Sequence, residues 1–125
     1  MKVTIRRADP RDAANIARVQ VESWLSTYRG IVPDAFLASM NVEEQTRRAL
    51  AHLAGTSILI FVAEDQEGLF GFVSGGAIRE TLDDYDGELY AIYLLAHRQK
   101  KGVGRLLCHT LASALRAGGF TSMAV

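Results

Sequence analysis

The stretch ELYAIYLLAHRQKKGVGRLLCHTLASAL, Glu88 to Leu115, decides the reading of this chain. Its first part, Glu88 to Leu95, is apolar and rich in Leu, Ile and Tyr, with the length of a buried strand. Gly102-Val103-Gly104 then opens a segment with a different period. Val103, Leu106, Leu107, Leu111 and Leu115 recur at helical spacing, the stripe of an amphipathic helix. A strand therefore runs through a glycine loop into a helix, with Arg98, Lys100, Lys101 and Arg105 around the junction. The first N–H groups of a helix lack intrahelical partners, and its dipole places partial positive charge there. Glycines allow an anion close to the backbone, and neighbouring cations complete such a site. The segment lacks the Gly-Lys-Ser/Thr ending of a nucleoside-triphosphate loop and the third glycine of the dinucleotide fingerprint. On this physics alone, an anion site and a solvated turn both remain open.

The motif itself narrows the choice. Gln99-Lys100-Lys101-Gly102-Val103-Gly104 resembles the Gln/Arg-x-x-Gly-x-Gly/Ala signature of the GNAT superfamily of acetyl-CoA-dependent N-acetyltransferases. Glu88 to Leu94 is similar to that family's central strand, and Gly102 to Leu115 to the helix after it. Ala96 departs from the proline found in many members. The resemblance implies a mixed α/β fold: a central, mostly antiparallel twisted sheet flanked by helices, in one domain over residues 1–125. It also implies acetyl-CoA as co-substrate. The loop amides of Gln99, Lys100, Lys101, Gly102, Val103, Gly104 and Arg105 would hold its pyrophosphate. The backbone of Ile92, Tyr93 and Leu94 would pair with the pantetheine arm. By the same resemblance, Glu88 is the candidate catalytic base, and Trp24 to Pro33 forms one wall of the acceptor pocket, with Trp24 and Tyr28 as candidate substrate contacts.

Composition sets bounds. The 125 residues are 49% hydrophobic, enough for a packed core, and 14 basic residues balance 14 acidic ones. No global field draws such a chain to nucleic acid or to an anionic membrane. The single cysteine, Cys108, excludes an internal disulfide and reads as a small core filler. His52, His97 and His109 share no metal-like spacing. The longest apolar run is too short to span a bilayer, and the N-terminus lacks the apolar core of a signal peptide. A cytoplasmic location is the default expectation.

The remaining elements follow in order. Val3 to Arg6 alternates as a short strand. Asp9 can cap a helix with Pro10 in its first turn and Asp12 complementing the dipole. That helix runs toward Tyr28 with Ala13, Ala17, Val21, Trp24 and Tyr28 in a stripe. Asn41 caps a second helix, with Glu44 placed to reach back, a stripe of Val42, Ala49, Leu50 and Leu53, and Gly55 at its end. Ser57 to Glu64 and Leu69 to Ile78 form a hairpin around Asp65-Gln66-Glu67-Gly68, with Gly75-Gly76 marking a bulge or a close approach. Thr121 to Val125 reads as a further strand. The resemblance implies more beyond it, another helix and two strands, with a Tyr that often serves as general acid. On that comparison, the chain covers about three quarters of the family's fold. An edge at this last strand invites pairing, and self-association as a homodimer is one arrangement it allows.

Direct transfer is the implied mechanism. An alkyl ammonium, with a pKa of about 10, must lose a proton before attacking a thioester. Partial burial of Glu88 would raise its pKa and suit it to that task; a solvated carboxylate at a strand start is the other reading. A main-chain N–H near Leu94 would stabilise the thioester oxyanion. Asp83, Asp84 and Asp86 either attract a cationic amine or form a solvated loop. Trp24 and Tyr28 either line the pocket or anchor their helix. Two functional classes are carried forward: an N-acetyltransferase for an amine of a small molecule, peptide or protein, and a CoA-binding module without turnover that serves as sensor or partner subunit.

Overall fold

A computed structural model describes residues 2–28, 30, 31, 33, 41–79 and 84–125. Five strands form one sheet in sequence order: β1 (Thr4–Arg7), β2 (Ile58–Asp65), β3 (Gly68–Ala77), β4 (Gly87–Leu94) and β5 (Met123–Ala124). The first three pairings are antiparallel, and β4 with β5 is parallel. Helices α1 (Ala13–Tyr28) and α2 (Val42–Ala54) contribute to a core on one side of the sheet, and α3 (Val103–Ala117) to a second core. The mixed α/β architecture with a mostly antiparallel sheet agrees with the sequence expectation; the first four strands lie within one residue of their expected bounds, and the last, expected over Thr121–Val125, is shorter at Met123–Ala124.

Local chemistry accounts for the boundaries. Asp9 accepts the N–H of Arg11 (2.9 Å), and the Asp12 carboxylate accepts the N–H of Asp9 (2.9 Å), closing a reciprocal cap ahead of α1. Asp12 has a second task. Arg6 donates to both of its oxygens (2.9 and 2.8 Å) and to Glu64 (2.7 Å), tying β1 to β2 and to the start of α1. The Arg6 guanidinium accordingly holds the Asp12 carboxyl below the usual carboxylate range. Asn41 caps α2 by accepting the N–H of Glu44 (2.8 Å), while the Glu44 carboxylate pairs with Arg47 and Arg48.

The apolar stripes needed correction. In α3, Val103, Leu107, Leu111 and Leu115 are buried at a strict four-residue spacing, whereas Leu106 is 52% exposed. In α1 the buried series is Ala13, Ile16, Ala17, Val19, Val21 and Ser23; Trp24 is half-buried and Tyr28 exposed. Val42 and Leu50 of α2 are exposed, and Gln45 and Ala49 take the buried positions. A helix against a sheet buries a narrower strip than its apolar residues can define.

Two irregularities shape β3 and β4. Ser74 opposes Ala91 while Gly75 opposes Leu89, so Tyr90 is an extra residue in β4. A Cβ at Gly75 would stand 2.6 Å from the Glu88 carbonyl oxygen and 2.7 Å from Leu111 Cδ2. Here the expected bulge and the expected close approach coincide.

The two α3 leucines give a direct check. Leu107→Ala should destabilise the chain by about 2–5 kcal/mol by opening a cavity. Leu106→Ala should change stability by less than about 0.5 kcal/mol. Urea unfolding followed by circular dichroism measures both, and equal losses would contradict this orientation of α3.

Candidate active site

The geometry is set at the end of β4. Leu95 donates its N–H to the Phe70 carbonyl (3.0 Å), so the hydrogen-bonded pairs of the register fall at Tyr93–Phe72 and Ala91–Ser74. In an antiparallel ladder the intervening residues turn their peptide groups the other way. Ile92 and Leu94 therefore present theirs to the far edge of β4. β5 pairs with that edge only at Gly87 and Glu88, and beyond Glu88 it carries no strand among the described residues. The Leu94 carbonyl accepts two side-chain hydrogen bonds there, from Ser23 Oγ (3.2 Å) and Gln99 Nε2 (3.0 Å).

From Leu94 the chain passes through a short turn at Ala96–Arg98 into the loop. Lys100 (φ +64°) and Gly102 (φ +84°) are both left-handed. The first is a strained conformation for a residue with a Cβ, at about 1 kcal/mol or more, whereas glycine adopts the second readily. α3 then begins without help. Gly102 offers no side-chain cap, and no acidic residue lies in the first turn. The starts of α1 and α2, by contrast, are capped by Asp9 and Asn41. The early amides of α3 thus keep their positive field, with exposed Lys100, Lys101 and Arg105 beside them. A Cβ at Gly104 would meet only Leu94 Cδ1, at an ordinary 3.5 Å. Packing within the chain does not require glycine there, and a helical glycine is less stable than alanine by roughly 0.5–1 kcal/mol. What the missing side chain does provide is a bare surface at the helix start. These residues fit a phosphate group.

The structure brings most of the expected site residues together. Ser23, Trp24, Thr27 and Tyr28 of α1 face Ile92, Tyr93, Leu94 and Gln99 across a pocket of about 210 Å³. The Trp24 and Tyr28 rings stack at 4.5 Å, tilted by 45°. Burial, with Tyr28 nearby, pushes the Tyr93 phenol up. Val103 is buried in the core, which leaves only its main chain for a ligand. Arg29, Val32 and Asp83, parts of expected segments, lie outside the described residues.

Three charged residues depart from expectation. Arg98 does not join the loop cations: its side chain, 12% exposed, pairs with Asp65 and Glu67 of the β2–β3 turn and lies 4.6 Å over the Phe70 ring. Asp65, 1% exposed, neutralises it and is itself held below the usual carboxylate range. Glu88 accepts from the Arg79 N–H (3.0 Å), Nε (3.3 Å) and Nη2 (2.8 Å). Those bonds lower its pKa, the opposite of the expected rise, because a guanidinium stabilises the charged form more than partial burial penalises it. Four residues before Ile92 on a strand, Glu88 also stands about 13 Å from it. Asp86 is a clamp. Its carboxylate accepts N–H bonds from Thr121 (2.9 Å) and Ser122 (2.9 Å) and hydroxyl bonds from both, which lowers its pKa to about 2.

Ser23 and Arg79 are functional positions that the sequence does not single out; Ser23 is buried in α1, where its hydroxyl reaches the Leu94 carbonyl. Nothing local marks Arg79, nine positions from its partner. Among the described residues, no group of three or more His, Cys, Asp or Glu could hold a metal ion, and no helix is long and apolar enough to cross a membrane.

The Asp86 clamp predicts an acid response. A carboxyl depressed in the folded state stabilises the fold above its unfolded pKa, near 3.8, and that contribution disappears as pH falls toward 2. Asp86→Asn should flatten the stability–pH slope between pH 4 and 2 and lower stability at neutral pH. Thermal unfolding across pH reads both, and an unchanged slope would remove Asp86 from this role.

Comparison with known proteins agrees with this geometry. Residues 19–125 match the Acetyltransferase (GNAT) family. The chain is 46% identical over 125 residues to the uncharacterised N-acetyltransferase YuaI of Bacillus subtilis (strain 168), an alignment spanning 98% of this chain and 70% of that protein. Among solved structures, the PaiA N-acetyltransferase of Thermoplasma acidophilum in complex with coenzyme A superposes with a TM-score of 0.76 at 23% identity, over 96% of this chain and 76% of that one. An aminoglycoside N-acetyltransferase, AAC(6')-Iy in complex with CoA, gives a TM-score of 0.78 at 14% identity, over 98% and 75%. With its β4–loop–α3 junction and a family match over most of its length, this chain belongs to the GNAT family of acetyltransferases.

Proposed function

We propose that this chain binds acetyl-CoA, the family's co-substrate, at the β4–α3 junction and transfers its acetyl group to an amine. The observation that carries the reading is the uncapped, acid-free start of α3, reached from the end of β4 through the glycine loop. The amides of Gly102, Val103, Gly104 and Arg105, with Lys100 and Lys101, receive the pyrophosphate. Gln99 fixes the loop to Leu94. The outward peptide groups of Ile92 and Leu94 pair with the pantetheine arm, and one of their N–H groups donates to the thioester oxygen as negative charge develops. Trp24 and Tyr28 close the opposite wall of the small pocket.

In the transfer itself, the starting ammonium first gives one proton to a base. The free amine then attacks the thioester carbonyl carbon, the C–S bond breaks, and the sulfur leaves with the electron pair as thiolate. The proton that the new amide nitrogen sheds passes through water to that thiolate, giving free thiol. Glu88 is our candidate for the base, acting through water. Because Arg79 keeps the carboxyl below glutamate's ordinary pKa, it stays ionised at neutral pH and holds the proton only in transit.

Incubating the chain with acetyl-CoA and a panel of primary amines, and following free thiol, tests the reading. Amine-dependent thiol release is the expected result. CoA binding without release from any amine would leave the non-catalytic binding module instead.

Two variants divide the roles. Gly104→Glu should fold normally, because its Cβ has room. It should lose at least about 100-fold in acetyl-CoA affinity, roughly 2.7 kcal/mol, by placing a carboxylate at the anion site. Calorimetric titration checks it, and wild-type affinity would sink the loop assignment. Glu88→Gln should lower kcat/KM by about 10–100-fold with unchanged CoA affinity. The shape of the pH profile around neutrality should stay as in the wild type, since Arg79 holds the Glu88 carboxyl below its ordinary range. A wild-type rate at every pH would remove Glu88 from the mechanism.

A further inference from the structure

The loop between β4 and α3 has few ties of its own. Gln99 bonds back to Leu94, and the N–H groups of Lys100, Lys101 and Gly102 have no partner among the described residues. Lys100 nevertheless holds a left-handed backbone (φ +64°), a conformation that persists only where the surroundings impose it. A groove of about 570 Å³, lined by Lys101 and Val103 as well as by Asp65 and Glu67 of the β2–β3 turn, leaves the loop room to move toward that turn.

Arg98 bridges the groove. Its Nη1 donates to Asp65 and its Nη2 to Glu67, and the guanidinium lies 4.6 Å over the Phe70 ring. Each of these partners is itself fixed. The Asp65 side chain, 1% exposed, also accepts the Glu67 N–H (2.9 Å), which sets the turn. Phe70 is buried in one cluster with Val103, the first residue of α3, and its carbonyl accepts the Leu95 N–H (3.0 Å). Among the described residues, no other side chain of the loop hydrogen-bonds beyond the end of β4. A planar fork between two carboxylates and over a ring fixes direction as well as position, which a point charge does not.

We infer that Arg98 is a positioning residue for acetyl-CoA: its guanidinium is spent on the β2–β3 turn and stays off the phosphates, but it holds the loop in the shape that receives them. The inference rests on the acetyltransferase reading and adds a residue to it. A preformed loop spares the ligand the cost of ordering it, so loss of Arg98 should weaken CoA binding and raise the KM for acetyl-CoA, with kcat near wild type.

Arg98→Ala combined with Asp65→Asn removes the pair at constant net charge. Calorimetric titration with CoA, below the unfolding midpoint of the variant, should show about tenfold weaker binding. That affinity should fall with salt as steeply as the wild type's, because no phosphate contact is lost; Lys101→Gln, which removes one, should flatten the dependence. Arg98→Lys, able to meet only one carboxylate, should bind about threefold more weakly than the wild type. Wild-type affinity in the double variant would overturn the inference, and so would a flattened salt dependence, the mark of a direct contact. Should the double variant not fold, Arg98→Lys decides: about threefold weaker binding supports the inference, and wild-type affinity overturns it. Failure of the acetyltransferase reading looks different, because the wild-type chain itself would then not bind CoA. Limited trypsin digestion without ligand still reads the anchor in that case. Cleavage after Lys100 and Lys101 should be about fivefold faster in the double variant with other sites unchanged, and equal rates would overturn the inference.

Discussion

One carbonyl oxygen ties the site to the rest of the molecule. The Leu94 oxygen accepts from Ser23 of α1 and from Gln99 of the loop, joining the first helix, the central strand and the entrance of α3 at a single point. The bond to Gln99 lets β4 turn into the loop without leaving that oxygen unsatisfied, and the bond to Ser23 sets α1 against the strand end. A buried or half-buried carbonyl without a partner would destabilise the chain by about 1–3 kcal/mol, so these two side chains also secure the local fold. The pocket of Trp24, Tyr28 and Ile92–Leu94 follows from that arrangement.

Charge placement separates structural work from ligand work. Arg98, the loop cation nearest the strand, is held by Asp65 and Glu67 and anchors the junction to the β2–β3 turn. Its neighbours Lys100, Lys101 and Arg105 remain exposed at a helix start without a cap or an acid. The division has a physical logic: a buried guanidinium needs carboxylates, whereas a phosphate site needs cations that are not already neutralised nearby. Glu88 and Arg79 repeat the pattern farther along β4, where the pair lowers the basicity of Glu88 and fixes the plane of Arg79.

Much of this was legible in the residues. The order of strand, glycine loop and helix, the hairpin around Asp65–Gly68 and the caps at Asp9 and Asn41 are local signals, carried by periodicity and turn chemistry. The bulge opposite Gly75 was legible as well, because a glycine inside a strand marks a bulge or a close approach. The misses among charged residues share one cause. Arg98 with Asp65, Arg79 with Glu88 and Asp86 with Thr121 are partners 33, 9 and 35 residues apart, and only the sheet register brings them together. Glu88 read either as a base raised by partial burial or as a solvated carboxylate; its guanidinium partner, nine residues away, fits neither and carries no local signal. Leu106 was placed in the core because five apolar residues fit a helical stripe, while the sheet has room for four.

The central claim is that the α3 start binds the phosphates of acetyl-CoA. Isothermal titration of the 125-residue chain with acetyl-CoA, alongside desulfo-CoA and adenosine, tests it directly. The account predicts micromolar binding of both CoA compounds, weakening as salt rises, and at least 100-fold weaker binding of adenosine. Equal affinity for adenosine, or no binding of acetyl-CoA by a folded chain, would contradict it.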